Sequence, residues 1–433
     1  MVLRAIPAAL STFVPPAQDA LSALGGWAAS NVPTRPASRW LLSLTLLGAL
    51  GVGAAGVAVR HVPWFGPMVA DGLRAAFGSE RVTHLEEAVA GVEDRVQHAL
   101  SDGKARSLSE ATPSELLGDA SDSARPASSA PASSAPASSA LDASGRASAA
   151  VAPRAVGALY PATASAEDGV WQAVNARSGQ RGAIYRTIVH PDRERVYAEL
   201  FVFALDLAKV EVHAVAGSVE PKSAPTAREV ARPGVIPDAD RDQLLAAFNG
   251  GFKAEHGQFG MMANGKELLP PKATSCTVAS RDDGSIAVGS WPALKTEAET
   301  FTWWRQTPPC MIEDGKLHAG LASSETKNWG ATLEGKTVIR RSALGLSADG
   351  KTLFMGISNS TTARALALGM QAAGSVSVAQ LDVNFSFPRF LLFRDDEDTG
   401  ALTAKGAVNG LLYAPDEFLG HSSTRDFFYV TLR

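Results

Sequence analysis

The sequence predicts an α+β protein, a mixed, strand-rich single C-terminal domain that follows an apolar helix and a disordered linker. Apolar stretches of strand length recur after residue 166, and Asn-Gly or Asp-Gly pairs separate several of them. Such a pair between two apolar stretches is a strong signal for a β-hairpin. A Ser/Ala/Pro-rich segment precedes these stretches and has too little apolar surface to form a core. We therefore expect one folded domain, over residues 166–433.

The most apolar segment predicts a transmembrane helix over residues 40–59. It carries no charge, it is long enough as a helix to cross a bilayer, and Arg39 and Arg60 flank it. Three arginines and one aspartate precede it, which predicts a short cytoplasmic N-terminus at residues 1–39. The protein would then be a single-pass membrane protein with a periplasmic or extracellular C-terminal domain. The alternative is a cleaved signal peptide, but the long segment before the apolar stretch is untypical of one.

A juxtamembrane helical region is predicted over residues 60–106. Apolar residues recur there every three or four positions, which is typical of an amphipathic helix: Val82, Leu85, Val89, Val92, Val96 and Leu100. Such a helix would lie on the membrane or on the domain, or support weak self-association through residues 82–100. Residues 107–165 contain tandem Pro-Ala-Ser-Ser-Ala repeats, and they predict a disordered linker that holds the domain away from the bilayer.

Within the domain, strands are predicted at residues 196–207 and 210–215, and hairpin turns at the Asx-Gly pairs 264–265, 283–284, 314–315 and 349–350. Helices are predicted at residues 240–248 and 361–373. The second would begin after Ser360, bury Leu366 and Met370, and end at Gly374. A strand over residues 376–382 would then bring Asp382 to a strand end.

Composition excludes several classes of function. The net charge is −4, with 40 basic and 44 acidic residues, so no basic surface for nucleic acid is expected. The two cysteines, Cys276 and Cys310, are too few for a cysteine-rich zinc site. In an exported domain they are candidates for a disulfide, and two separate buried thiols are the alternative.

No metal site and no cofactor are predicted. The acidic residues 395–398 leave calcium as an alternative, but they lack the one-residue spacing that wraps ligands around one ion, so a solvated loop is favoured. The sequence contains no Gly-rich phosphate loop and no Gly-x-Ser-x-Gly or His-Glu-x-x-His motif.

Four segments, in order, resemble motifs of the phosphodiester glycosidase family. Residues 248–252, Phe-Asn-Gly-Gly-Phe, resemble its Asn-Gly-Gly-Phe-Phe signature, and residues 304–316 resemble its Arg-x-x-Pro strand. Residues 341–345, Arg-Ser-Ala-Leu-Gly, are similar to a third motif. Residues 381–386, Leu-Asp-Val-Asn-Phe-Ser, stand where the family has Leu-Asp-Gly-Gly-Gly-Ser. The replaced glycines predict an altered pocket, a different substrate or a loss of catalysis.

The resemblance implies hydrolysis of a sugar linked through a phosphodiester. Arg341 is the candidate to bind the phosphate, and Asp382 to stabilise the sugar cation or activate water. Glu255 or His256 is the candidate to protonate the leaving oxygen. The candidates for substrate binding are Asn249, Gly250, Gly251, Asn384 and Ser386.

Each candidate also has a structural interpretation. Arg341 would form an ion pair with Asp382, and Asp382 would simply end its strand and cap a turn. Only one of Arg340 and Arg341 can face the site if both lie in a strand. Asn249 would be present because asparagine tolerates a left-handed backbone. Glu255 and His256 would be exposed loop residues.

Taken together, the sequence predicts a membrane-anchored hydrolase that acts on a sugar-phosphodiester linkage in an envelope or exopolysaccharide glycan. The glycan is the expected partner, with the membrane as a second contact and no nucleic acid. The alternative is a non-catalytic module that binds phosphoglycan, or a surface scaffold, on the same fold.

Overall fold

The computed structural model describes residues 78–113, 153–174, 182–224, 230–323, 326–330 and 337–433, with single residues between these ranges and before residue 78. The predicted cytoplasmic segment 1–39, the predicted transmembrane helix 40–59 and the centre of the predicted linker lie outside these residues. Within the described ranges, no helix combines the length and the apolar character needed to cross a bilayer.

Strands dominate the described part of the chain. In order they are β1 Gln172–Ala173, β2 Ile184–Val189, β3 Leu200–Asp206, β4 Val210–Val215, β5 Leu244–Asn249, β6 Met261–Ala263, β7 Lys266–Leu269, β8 Cys276–Arg281, β9 Ile286–Ser290, β10 Phe301–Thr307, β11 Ile312–Glu313, β12 Lys316–Leu317, β13 Ile339–Ser347, β14 Thr352–Thr361, β15 Ser375–Val383, β16 Phe390–Asp395, β17 Leu402–Gly406 and β18 Phe427–Leu432.

The α-helices are α1 Ser79–Leu100, α2 Leu108–Ala111, α3 Trp291–Leu294, α4 Ala319–Ala322 and α5 Ala363–Ala372. Short 3₁₀ helices occur at Asp238–Gln243, Ala254–His256, Lys295–Thr300 and Thr326–Trp329.

The strands form three antiparallel sheets. The eight-stranded sheet has the order β1-β2-β3-β14-β13-β15-β11-β12, and the two five-stranded sheets have the orders β7-β6-β10-β8-β9 and β17-β16-β5-β18-β4. The strand-rich mixed fold predicted from the sequence is confirmed. Non-consecutive strands are neighbours in every sheet, so residues that are far apart along the chain meet at the strand ends.

The main hydrophobic core lies where the three sheets face one another. Phe203 of the eight-stranded sheet stacks on Phe390 of a five-stranded sheet, with ring centroids 4.0 Å apart. Trp303 of the third sheet packs against Phe428, at 5.5 Å. These strands are buried along most of their length, as expected for strands covered on both faces.

All four predicted Asx-Gly hairpin turns are confirmed, since each pair joins two paired antiparallel strands. Asn264-Gly265 and Asp314-Gly315 have positive φ at both residues, the geometry that tight hairpins require. The predicted helix at residues 361–373 is α5, with Leu366 and Met370 fully buried. Its N-cap is Thr362, whose side chain accepts a hydrogen bond from Ala365 N, and not Ser360.

The helix predicted at residues 240–248 is wrong. A 3₁₀ helix ends at Gln243, and Leu244–Asn249 form β5, which pairs with β16 and β18. All six residues of β5 are buried. An apolar run of this length is compatible with a helix or with a buried central strand, and here pairing on both sides selects the strand.

Both ends of the predicted linker 107–165 contain ordered structure. Ser107 caps α2 through a capping box, and Leu108 and Ala111 are buried in the main core. At the other end, Thr163 Oγ1 donates a hydrogen bond to Asp192 O at 2.8 Å. Residues at both ends of segment 107–165 therefore contact the domain, and the extent of the linker stays a prediction.

Candidate functional site

A cluster of polar side chains lies where the eight-stranded sheet meets one five-stranded sheet. Asn249 ends β5, Ser342 and Asp382 lie in β13 and β15, and Arg425 and Asp426 immediately precede β18. Asp382 N donates a hydrogen bond to Gly250 O at 3.2 Å, which joins the two sheets. Segments almost 180 residues apart in sequence therefore converge at one point.

A β-bulge directs Asp382 into this cluster. Along the β13–β15 pair, Arg341 opposes Val383 but Ala343 opposes Gln380, so β15 has one extra residue there. Bulges redirect side chains and are common beside active sites. Ser342, opposite the bulge, places its Oγ 3.2 Å from Asp382 O and 3.1 Å from Asn249 Oδ1, so its single proton is donated to one of these two acceptors.

Asn249 is fully buried, and its amide is occupied by protein partners. Its Nδ2 lies 3.0 Å from Ser342 Oγ and donates to Gly250 O at 3.1 Å, while its Oδ1 accepts from Arg389 N at 3.1 Å. Its φ is not positive, so left-handed backbone does not explain the asparagine. In this structure Asn249 organises the junction of the sheets rather than presenting a group to a ligand.

The carboxylate of Asp382 is bound to Arg425. Asp382 Oδ2 accepts a hydrogen bond from Arg425 Nη2, and its Oδ1 accepts from Val383 N at 2.8 Å. Only 2% of Asp382 is exposed. Burial raises the pKa of this carboxyl above its usual value, although the positive charge of Arg425 acts in the opposite direction.

Arg425 retains hydrogen-bonding capacity. Its Nη2 also donates to Gly251 O at 3.1 Å, and its guanidinium lies over the ring of Phe387, 4.3 Å from the centroid. Its Nε is buried and has no hydrogen-bond partner among the described residues. The side chain is 13% exposed. Arg425 is thus a cation with an unused donor beside a buried carboxylate.

Behind this pair lies a second, fully enclosed ion pair. Arg305 donates to Asp426 from Nε at 2.8 Å and from Nη2 at 3.2 Å. Arg305 also donates to Phe252 O and Phe259 O, at 2.6 and 2.8 Å, while Gly251 N donates to Asp426 Oδ2 at 2.8 Å. This bidentate pair holds the Asn-Gly-Gly turn in place.

The two glycines of the turn are required by this packing. A Cβ on Gly250 would lie 2.1 Å from Asp426 Oδ2, and one on Gly251 would lie 2.8 Å from Arg305 Cζ. Gly250 and Gly251 were predicted to bind substrate. In the structure their missing side chains make room for the buried ion pair.

Arg341, the predicted phosphate ligand, does not lie in the cluster. It is fully buried, and its guanidinium donates to the carbonyls of Trp329, Thr337 and Thr361 and to Gln380 Oε1. Burial lowers its pKa. The alternative, an ion pair between Arg341 and Asp382, is also absent from the described contacts, since Arg425 occupies that position.

Strand alternation explains the position of Arg341. Ser342 faces the cluster, so the preceding residue faces away, while Arg340 shares the face of Ser342. Arg340 donates to Phe385 O at 2.6 Å and to Gly410 O at 2.7 Å, which binds it to the neighbouring loops.

Glu255 and His256 lie at the edge of the site. Their side chains are 49% and 42% exposed, and His256 Nε2 lies 3.6 Å from Glu255 Oε1. The charge of His256 reaches Asp382 and favours its ionised form. Their predicted role as acids stays a prediction.

The residues that replace the family glycines form a short turn. Asn384 Oδ1 accepts hydrogen bonds from Ser386 N at 2.9 Å and Phe387 N at 2.6 Å, an Asx-type turn. Phe385 is 40% exposed. The side-chain oxygen of Asn384, a predicted substrate ligand, therefore stabilises its own loop.

A disulfide joins Cys276 to Cys310, with Cα atoms 4.6 Å apart. Within the described residues, no three His, Cys, Asp or Glu side chains gather to hold a metal ion. In the acidic run, Asp395 pairs with Arg177 and Asp396 Oδ1 accepts from Thr399 N in the β16–β17 turn. Two cavities, of about 420 and 600 Å³, share Thr274, Pro309 and His318 and lie beside the disulfide rather than at Asp382.

Sequence reasoning missed three of the central residues, Arg425, Asp426 and Arg305. Arg305 lies in the segment 304–316, which resembles a family motif, but the sequence does not indicate that its partner is Asp426. Arg425 and Asp426 lie just before a strongly apolar final strand, a polar pair with no local pattern that indicates a site.

No protein-family model and no curated protein sequence matches this chain. Among solved structures, the chain is similar to the catalytic domain of zebrafish N-acetylglucosamine-1-phosphodiester alpha-N-acetylglucosaminidase auto-inhibited by its pro-peptide. The TM-score is 0.39 at 14% identity, over 61% of this chain and 88% of that one. A hypothetical protein from Synechocystis gives 0.38 at 11% identity, over 61% and 64%. Scores of this size assign no activity, and the family resemblance rests on the motifs quoted above.

Proposed function

We propose that this chain is a hydrolase of the phosphodiester glycosidase type, with Asp382 and Arg425 as the reacting pair. The observation that carries the proposal is convergence. Two of the motif segments that resemble the family meet in one cluster, through Asn249 and Asp382, and Ser342 of a third joins them. The cluster also contains Arg425, a partly exposed cation, and a phosphodiester anion needs a positive charge to bind.

The proposed chemistry uses each group once. Arg425 binds the non-bridging oxygens of the phosphodiester, exchanging its contact with Asp382 for one with the substrate. Asp382 then accepts a proton from a water molecule that attacks the anomeric carbon, and its raised pKa makes it a stronger base. The bond between that carbon and the phosphate oxygen breaks, and the phosphomonoester leaves as an anion. No second acid is needed for such a leaving group.

The phosphodiester is the part of the substrate that Arg425 would bind. We propose a sugar phosphodiester in an envelope or exopolysaccharide glycan, reached by a domain that residues 40–59 anchor and that works outside the cytoplasm. The disulfide between Cys276 and Cys310 supports the location, because such bonds persist in oxidising compartments.

A non-catalytic module that binds phosphoglycan is the second candidate. Two observations favour it: Asp382 is only 2% exposed, and the Asx turn of Asn384 occupies the place of the family glycines. Such a module would use Arg425 to bind phosphate and would leave the substrate intact.

The test is hydrolysis of a sugar phosphodiester that carries a chromogenic alcohol on its phosphate, with a coupled phosphomonoesterase releasing the chromophore. We expect Asp382→Asn to lower kcat by about 10²–10⁴-fold, and Arg425→Gln to weaken both binding and turnover. Arg281→Gln removes a remote surface ion pair with Glu297 and serves as the matched control that keeps full activity.

Two outcomes decide between the candidates. Saturable binding of the substrate by the unchanged protein, without turnover, would reject the hydrolase and leave the binding module. Full activity in both the Asp382 and the Arg425 variants would reject the site itself.

A further inference from the structure

The helix α1 presents an apolar stripe away from the domain. Leu85, Val89, Val92 and Val96 are 56%, 56%, 51% and 49% exposed, and Leu100 is 80% exposed. They account for five of the eight large apolar side chains that are exposed in the described residues. Concentration of such side chains on one helix face marks an interaction surface.

The spacing of this stripe is that of a coiled coil. With Val82 at heptad position a, Val89 and Val96 also take position a, and Leu85, Val92 and Ala99 take position d. Val82 is only 4% exposed, so the accessible stripe begins at Leu85. β-Branched residues at a with leucine at d favour a two-stranded parallel coiled coil, and α1 has valine at every a position and a leucine at one d position, Leu85. The helix has 22 residues, or about three heptads and roughly 33 Å of length.

The opposite face of α1 is bound to the domain. Asp94, at heptad position f, accepts hydrogen bonds from Arg195 Nε at 2.9 Å, from Arg195 Nη2 at 3.0 Å and from Tyr197 Oη at 2.7 Å. Position f lies diametrically opposite the a/d stripe. The domain therefore sits behind α1 and leaves the stripe accessible to a second helix.

The charges beside the stripe select the partner and its direction. Position g carries Arg81 and Arg95, and position e carries Glu86 and Glu93. In a parallel pair of identical helices, g of one copy meets e of the other five residues on, so Arg81 meets Glu86, while Ala88 meets Glu93 and Arg95 meets Leu100. An antiparallel pair would bring e to e and g to g, placing like charges together.

We infer that α1 is a dimerisation element, which joins two copies of this chain as a parallel, two-stranded coiled coil through Leu85, Val89, Val92 and Val96. The two domains lie on the outer faces of the coil, and the N-terminal ends of the two α1 helices lie at the same end of it. The inference rests on α1 alone and is independent of the proposed hydrolysis.

Cysteine cross-linking tests both the partner and its direction on the full chain in detergent. The native cysteines are bonded to one another, so an introduced cysteine supplies the thiol that forms any new cross-link. Val96→Cys is expected to give a disulfide-linked dimer on mild oxidation, because parallel helices place the two thiols side by side. The control His84→Cys, exposed at heptad position c, is expected to stay monomeric under the same conditions.

Sedimentation of the full chain provides the second measurement. Val89→Glu with Val92→Glu is expected to abolish the dimer. Glu86→Arg is expected to weaken it by about threefold or more, since Arg81 then meets an arginine, and adding Arg81→Glu should restore it. The unchanged chain sedimenting as a monomer, or Val96→Cys failing to cross-link in a chain that does dimerise, would overturn the inference. So would a monomer that binds anionic vesicles through this stripe.

Discussion

Arg425 and Asp426 are neighbours in sequence, yet they form two ion pairs of different character. Asp426 reaches back to Arg305, and both side chains of that pair are at most 2% exposed. Arg425 binds Asp382, and the side chain of Arg425 is 13% exposed. The first pair is surrounded by further partners, because Arg305 also binds carbonyls and Asp426 also accepts from Gly251 N.

The second pair is less completely satisfied. The Nε of Arg425 has no partner among the described residues, and burial raises the pKa of Asp382. A saturated buried pair stabilises one backbone geometry, whereas an unsaturated pair can exchange a protein partner for a ligand. We therefore expect Arg305–Asp426 to stabilise the fold and Arg425–Asp382 to be the pair that contacts a ligand, and the variants below test that division.

The largest expected effect on stability is that of Asp426→Ala. It leaves the guanidinium of Arg305 buried without its counter-charge, and arginine does not lose its proton, so the free energy of unfolding should fall by about 3–5 kcal/mol. Arg425→Ala should cost only about 1–2 kcal/mol, because Asp382, with its raised pKa, takes up a proton. Urea denaturation measures both, and equal losses would contradict the division between the pairs.

How much of this could be read from the sequence depends on whether the signal is local. The four Asx-Gly turns and the capped helix α5 were predictable, because a turn or a cap is determined by a few adjacent residues. β5 was not, because Leu244–Asn249 is equally compatible with a helix until β16 and β18 are known to flank it.

The candidate site was also predictable only where the signal is local in the sequence. Asn249 and Asp382 were identified through motif resemblance, and the structure brings them together. Arg341 lies outside the cluster, because alternation along β13 places it on the face opposite Ser342. Arg425 lies 43 residues after Asp382, and only strand order brings it near.

A smaller loss of stability is expected for Gly250→Ala. Its Cβ would meet Asp426 Oδ2 at 2.1 Å and push the carboxylate off Arg305, at a cost of about 1–3 kcal/mol. Gly91→Ala is the matched control. Nothing lies within 4 Å of a Cβ there, and alanine favours the interior of α1, so stability should rise by about 0.5–1 kcal/mol. Unchanged thermal unfolding of Gly250→Ala would show that the turn is not held as tightly as the contacts indicate.

The pH dependence of the Arg425–Asp382 pair should have opposite signs for activity and for stability. The folded-state pKa of Asp382 is raised, so its favourable contribution to stability is fully present below the unfolded pKa of about 3.9 and is lost as pH rises through the folded value. As a base, Asp382 becomes active over that same rise. Paired titrations of kcat and of urea stability measure both. Asp382→Asn should abolish the stability change, and parallel trends in the unchanged protein would exclude Asp382 as the base.

The smallest expected effect is that of His256→Gln. The imidazole is half-exposed, and its charge favours the ionised carboxylate of Asp382 when the ring is protonated. Solvent screens such an interaction, so kcat/KM at neutral pH should change by less than about threefold, and the acidic limb of the pH profile should move slightly upward. Glu255→Gln, the matched neighbour, should leave Asp382 unaffected. A loss of a hundredfold or more in His256→Gln would instead make the histidine a second catalytic group, and the reacting unit would then extend beyond the Arg425–Asp382 pair to the loop that follows the Asn-Gly-Gly turn.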